Sequence, residues 1–196
     1  MTDHLIQSVF KLGDMAPDAT LLNTDGKIVN LSAVWSSFDG DTVLVFLRHF
    51  GCIFCRQHAK ELSASAERIR LAGGQVVLIG METPQEAAEF ARNQDVPFPV
   101  LSDADRSAYR AYGLPEGSIG QLAGPKVVAA SLRAVANGAG VGKAVGNRRQ
   151  LPGTYIVDNA GVIRFAKPAA HAGDVATVLE ILHQLGNRIE SPGVAA

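Results

Sequence analysis

The 196-residue chain contains two cysteines, and they stand together as Cys52-Ile53-Phe54-Cys55. At this spacing on a first helical turn two sulfurs can close a disulfide, so one can attack a peroxide or an oxidised sulfur and the other can resolve the product. The apolar run Thr42-Val43-Leu44-Val45-Phe46-Leu47 precedes the pair and an amphipathic stretch follows it. The dithiol therefore belongs at a strand-to-helix junction. A helix N-terminus offers unpaired amides and the positive end of a dipole, which lower a cysteine pKa from about 8.5 into the range of roughly 3.5 to 7.5. Cys52, the more N-terminal residue, is expected to be the more exposed, attacking thiol, with Arg48, His49 and Arg56 near enough in sequence to add positive potential. Ile53 and Phe54 between the sulfurs point to a hydrophobic lip suited to an apolar disulfide or an organic hydroperoxide. Core packing of Phe54 is an equal alternative.

Two other readings of the cysteines are weaker. Inert packing would leave their helix-start position without a purpose. Zinc needs two further ligands, the chain has no second cysteine pair, and His49 and His58 sit too close on the same element to complete a tetrahedral cage. No metal or prosthetic group is expected.

Hydrophobic residues make up 47% of the chain and charged residues 19%, with a formal net charge of -1. That ordinary globular balance excludes an electrostatic case for nucleic acid or an anionic membrane. The most compact cationic cluster, Arg148-Arg149, reads as a solvated loop. No apolar run reaches the length of a membrane span. Met1-Thr2-Asp3-His4 lacks the cationic and apolar regions of a secretory signal, and the expectation is a cytoplasmic protein.

The elements that must position the dithiol are legible in outline. Asp18 to Leu22 and Lys27 to Leu31 flank the turn Asn23-Thr24-Asp25-Gly26, which predicts an N-terminal β-hairpin. A short helix follows at Leu31 to Trp35, then the buried strand Thr42 to Leu47. Ala59, Leu62, Ala66 and Ile69 predict one amphipathic helix from Cys55 to Leu71, closed by Gly73-Gly74. Gln75 to Gly80 is a second buried strand, and Thr83-Pro84 opens a helix to about Arg92 with Thr83 as N-cap. Pro97-Phe98-Pro99-Val100-Leu101 suits an edge strand or a strand end. A helix then begins at Ser102 to Asp105 and ends near Gly113. Residues 115–150 are Gly-rich and carry a helix from Pro125 to Ala136. Thr154 to Val157 and Val162 to Phe165 flank Asn159-Ala160-Gly161 as a last hairpin, and Val175 to Leu185 is a closing helix. Strand and helix alternate as in an α/β sheet. One domain spans 1–196, with a core of about 9–186 and an insertion at about 115–150.

Four separated stretches resemble the alkyl hydroperoxide reductase and thiol-specific antioxidant superfamily, in its peroxiredoxin-like branch with a Cys-x-x-Cys. They are Gly13-Asp14-Met15-Ala16-Pro17-Asp18, the segment Val43 to Cys55, Pro99-Val100-Leu101-Ser102-Asp103, and Gln150-Leu151-Pro152-Gly153-Thr154-Tyr155-Ile156-Val157-Asp158. The resemblance implies a thioredoxin-like fold: a central mixed β-sheet flanked by helices. It also implies a cis Pro152 facing the dithiol and exposing the preceding backbone to an extended substrate. A trans proline at a strand start is the alternative.

Peroxiredoxins of the typical kind resemble Pro-x-x-x-Thr-x-x-Cys around the reacting cysteine, and this chain departs from it. Counting from Cys55, Arg48 and Cys52 occupy the proline and threonine positions; counting from Cys52, Val45 and His49 do. The family's peroxide-binding arginine would fall at Pro152, leaving Arg48, Arg148 or Arg149 as substitutes. The resemblance implies a thiol-dependent oxidoreductase in which Cys52 and Cys55 reduce hydroperoxides and form an internal disulfide, with Arg48, Phe54 and Pro152 near the substrate. The reductant would be external, such as thioredoxin or glutathione, and a homodimer is compatible with the family. Thioredoxin-type exchange with a disulfide substrate, or a non-catalytic redox-sensing module acting through residues 115–150, are the alternatives.

Overall fold

The computed structural model describes residues 10–124, 127, 147 and 149–187. Seven strands form one sheet: β1 (Thr20–Leu22), β2 (Ile28–Asn30), β3 (Asp41–Phe46), β4 (Gly74–Gly80), β5 (Val100–Ser102), β6 (Gly153–Val157) and β7 (Ile163–Pro168), in the order β2-β1-β5-β4-β3-β6-β7. β3, β4 and β5 are parallel, whereas β6 runs antiparallel to β3 and β7 to β6. The N-terminal hairpin β1–β2 joins through Leu22 opposite Ser102. This mixed sheet flanked by helices is the thioredoxin-like architecture that the sequence implies.

β3 is buried along its whole length, as its unbroken apolar run requires of a strand covered on both faces. Val43 and Val45 join Ala59 and Leu62 of helix α2 (Ile53–Ala64), Ala87 and Phe90 of α4 (Pro84–Asn93), and Ile181 and Leu185 of α7 (Val178–Gly186) in one core. Leu44 and Phe46 point the other way, toward Leu31 and Trp35 of α1 (Leu31–Ser36) and Ala108 and Tyr109 of α5 (Ser107–Ala111).

Two expectations change. The single helix from Cys55 to Leu71 is two, because Ser65 departs from helical geometry (φ -110, ψ 8) between α2 and α3 (Ala66–Leu71). Gly73 then turns the chain at φ +81, a conformation that glycine adopts without strain, and β4 starts at the next residue. Of the two readings of the Pro-flanked segment, the strand end holds and the edge does not: β5 begins at Val100, directly after Pro99, and lies between β1 and β4. A proline lacks only the donor, and the Pro99 carbonyl still accepts the Leu78 amide at 3.0 Å. A short α6 (Ile119–Ala123), capped by Ser118 and Gln121, occupies part of the insertion. The helix expected from Pro125 to Ala136 lies outside the described residues, apart from Val127. No helix among the described residues is long and apolar enough to cross a membrane.

Candidate active site

β3 ends at Phe46, and the loop 47–52 carries the chain to α2, whose N-cap is Cys52 itself. The loop is tied at nearly every residue. Leu47 extends the parallel ladder by donating to the Ile79 carbonyl at 2.8 Å, and Cys52 donates to the His49 carbonyl at 3.0 Å. The Arg48 amide donates to Cys55 Sγ at 3.1 Å, and the Phe50 amide to Glu82 Oε1 at 2.7 Å. The cysteines are not bonded to each other and both are buried, so the exposure expected of Cys52 is corrected: it packs in one cluster with Phe50 and Phe54.

The two sulfurs occupy different electrostatic positions. At the N-cap, Cys52 Sγ lies beside the Cys55 thiol and the Cys55 and Phe54 amides, whose polar hydrogens favour its charged form, and an Arg48 guanidinium nitrogen lies at 3.9 Å. Led by the Cys55 thiol, these donors outweigh burial and bring Cys52 down to about 6. Cys55, one turn inside the helix, is pushed up by burial and by the negative charge of its partner. At neutral pH, Cys52 is therefore the thiolate and Cys55 holds the proton. That arrangement suits attack by Cys52 and resolution by Cys55.

The other residues singled out in the sequence fall differently. Arg48 reaches the dithiol. His49 contributes its carbonyl to Cys52 and its amide to Cys55. Phe54 is 7% exposed and belongs to the core, as does Ile53 at 9%. Of the two readings of Phe54, core packing holds and the hydrophobic lip does not, because the first turn of α2 directs both side chains inward; what Phe54 offers the sulfur is its amide. Pro152 immediately precedes β6, where Gly153 pairs with Phe46 at the start of the active loop. The cis bond expected there is corrected: every peptide bond among the described residues is trans. The backbone before it is already engaged, with the Leu151 amide on the Pro115 carbonyl at 3.1 Å and the Leu151 carbonyl on Gln150 Nε2 at 3.2 Å. Arg149 is exposed and pairs with Glu116, and Arg148 lies outside the described residues. No cluster of three or more His, Cys, Asp or Glu among the described residues could hold a metal ion.

Sequence reasoning passed over two residues that shape the loop. The Tyr109 hydroxyl lies 2.5 Å from the Leu47 carbonyl and 2.9 Å from that of Ile79, joining the ends of β3 and β4. Glu82 holds Phe50 from the end of β4. An acid between an apolar strand and the Thr83-Pro84 helix start is the one local sign that could have marked it.

Relatives share both the sequence pattern and the architecture. Peroxiredoxin Q, chloroplastic, of Oryza sativa subsp. japonica is 26% identical over 176 residues, which cover 87% of this chain and 67% of that protein. Peroxiredoxin Bcp of Escherichia coli (strain K12) is 30% identical over 105 residues, 53% of this chain and 65% of the relative. The crystal structure of peroxidoxin BcpB from Mycobacterium tuberculosis superposes with a TM-score of 0.68 at 20% identity, covering 93% of this chain and 99% of the other. Residues 12–166, from before the first hairpin through most of β7, match the pattern of the AhpC/TSA family. With the dithiol at the β3–α2 junction inside that span, the chain belongs to the AhpC/TSA family.

Proposed function

We propose that the chain is a peroxiredoxin-like thiol peroxidase in which Cys52 attacks and Cys55 resolves. The observation that carries this reading is the paired asymmetry at the start of α2: a thiolate beside Arg48, and a protonated thiol one turn away in contact with it. The Cys52 thiolate attacks one oxygen of a hydroperoxide, the O–O bond breaks, and the departing alkoxide or hydroxide takes a proton to leave as alcohol or water. Cys52 is then a sulfenic acid. The Cys55 sulfur displaces its hydroxyl, the S–S bond forms and water leaves. An external thiol of the thioredoxin or glutathione class returns the two electrons. No step requires a prosthetic group, and the cycle needs a reducing compartment, for which the cytoplasm is the reading offered here.

Consumption of hydrogen peroxide and of an organic hydroperoxide in the presence of dithiothreitol tests this. The wild type should turn over, and its peroxide-treated form should lose two hydrogens in mass and resist alkylation at both cysteines. Without dithiothreitol, Cys55→Ser should react once and stop as a Cys52 sulfenic acid. Equal peroxide consumption by the wild type and Cys52→Ser would remove the proposal.

Thiol-disulfide exchange is a second reading, favoured by one observation. In the typical peroxidase pattern a threonine stands three residues before the attacking cysteine, and here that position is His49, which offers Cys52 a carbonyl. Faster reduction of a protein disulfide than of either peroxide would favour it.

A further inference from the structure

We infer that Glu82 is a positioning residue for the Cys52 nucleophile, holding the active loop in register through the Phe50 amide. This inference rests on the reading of Cys52 as the attacking thiol. Three features of Phe50 support it. Its amide donates to Glu82 Oε1 at 2.7 Å. Its ring stacks on Phe90 of α4, with centroids 4.5 Å apart and planes inclined by 19°. The same ring lies over Gly80, where a Cβ would collide with it. Phe50 is thus gripped by a side chain, a ring and a bare backbone, two residues before the sulfur.

Among the tethers of the loop described above, this one alone uses a titratable carboxyl. The Leu47 and Cys52 amides go to backbone carbonyls and the Arg48 amide to the resolving sulfur. Glu82 is 3% exposed, its Oε2 is buried without a hydrogen bond, and its own carbonyl accepts from Ser102 Oγ of β5. A glutamine would make the same bond to Phe50 without the burial cost that an ionised carboxylate carries. The charged and titratable groups acting with it are Glu86 on α4 and Tyr109 on α5, whose hydroxyl also senses Cys55 and Asp103. Tyr109, which joins the ends of β3 and β4, is thus within electrostatic reach of both Glu82 and Cys55. Burial raises the Glu82 carboxyl to about 7, so its charge turns on near neutral pH.

The test compares the wild type with Glu82→Gln, Glu82→Asp and Glu82→Leu by the rate of Cys52 alkylation with iodoacetamide, alongside melting temperature. Glutamine keeps the reach and the acceptor, so its rate at pH 7 should stay within about threefold of the wild type. Leucine removes the acceptor, and aspartate keeps the charge while losing the reach; both should slow alkylation about tenfold or more. If leucine does not fold, aspartate carries the comparison. The glutamine variant should also gain melting temperature relative to the wild type as pH rises from 5 to 8, because only the wild type must then bury a charge. Wild-type alkylation rates in folded Glu82→Asp and Glu82→Leu would overturn the inference, as would a glutamine variant as slow as leucine. Alkylation reads the thiolate without any peroxide, so a protein that behaves as expected here yet consumes no peroxide would overturn the proposed function alone.

Discussion

β3 and β4 lie side by side, run parallel, and each hands over to a helix at the same end of the sheet, but the two junctions are finished differently. At the β4 junction Thr83 closes a complete capping box with Glu86: the Glu86 amide donates to Thr83 Oγ1 at 3.3 Å and Glu86 Oε2 accepts the Thr83 amide at 3.0 Å. Pro84 follows at the first helical position. At the β3 junction Cys52 makes no side-chain capping hydrogen bond, and the amides of the first turn lie beside a sulfur. One junction spends its helix N-terminus on stability. The other leaves it to hold a negative charge, and α7, capped by Thr177 and Glu180, follows the first pattern.

Cys52→Ser breaks this comparison most severely. It should reduce peroxide consumption by about a thousandfold or more, measured by loss of hydroperoxide with dithiothreitol, since a serine hydroxyl does not ionise at neutral pH. Its effect on stability should change sign with pH. A cysteine whose folded pKa is lowered stabilises the fold above its unfolded pKa of about 8.5, and that contribution is lost as pH falls through about 6. Thermal melts should therefore show Cys52→Ser, a better N-cap than a thiol, ahead of the reduced wild type at pH 5 and losing that lead as pH rises toward 9.

Arg48→Met sharpens the same contrast with a smaller effect. Without the guanidinium 3.9 Å from the sulfur, the midpoint of Cys52 alkylation against pH should rise by about one unit, with a lower peroxidase rate at pH 6. Thr83→Ala should act in the opposite sense. Loss of the cap should cost about 1 kcal/mol, read as a fall of roughly 2–4 °C in melting temperature, with alkylation of Cys52 unchanged.

Much of this scaffold was legible from residues alone. The apolar run of β3, the Thr83-Pro84 helix start, the hairpin around Gly26 and the last hairpin around Gly161 are local patterns, and each formed where periodicity and turn chemistry put it. Cys52 at a helix start was legible for the same reason. The lowered pKa of Cys52 was legible from its helix start, but the raised pKa of Cys55 was not, because it depends on burial beneath elements far away in the chain. Phe54 stayed open because an apolar residue beside a reactive one reads equally as lip or core. Pro152 misled because the resemblance supplied its cis bond, while Pro115 and Gln150 had already claimed the neighbouring backbone. Glu82 was invisible as a partner: its contact with Phe50 spans 32 residues of sequence and exists only once β3 and β4 pair.

The proposed chemistry depends on one thiolate. Reduced wild-type protein should be alkylated with iodoacetamide across a pH series, and the modified residue identified by peptide mass. The predicted result is a single midpoint near 6 on Cys52, with Cys55 unmodified while the fold is intact. A midpoint near 8.5, or first modification at Cys55, would contradict it.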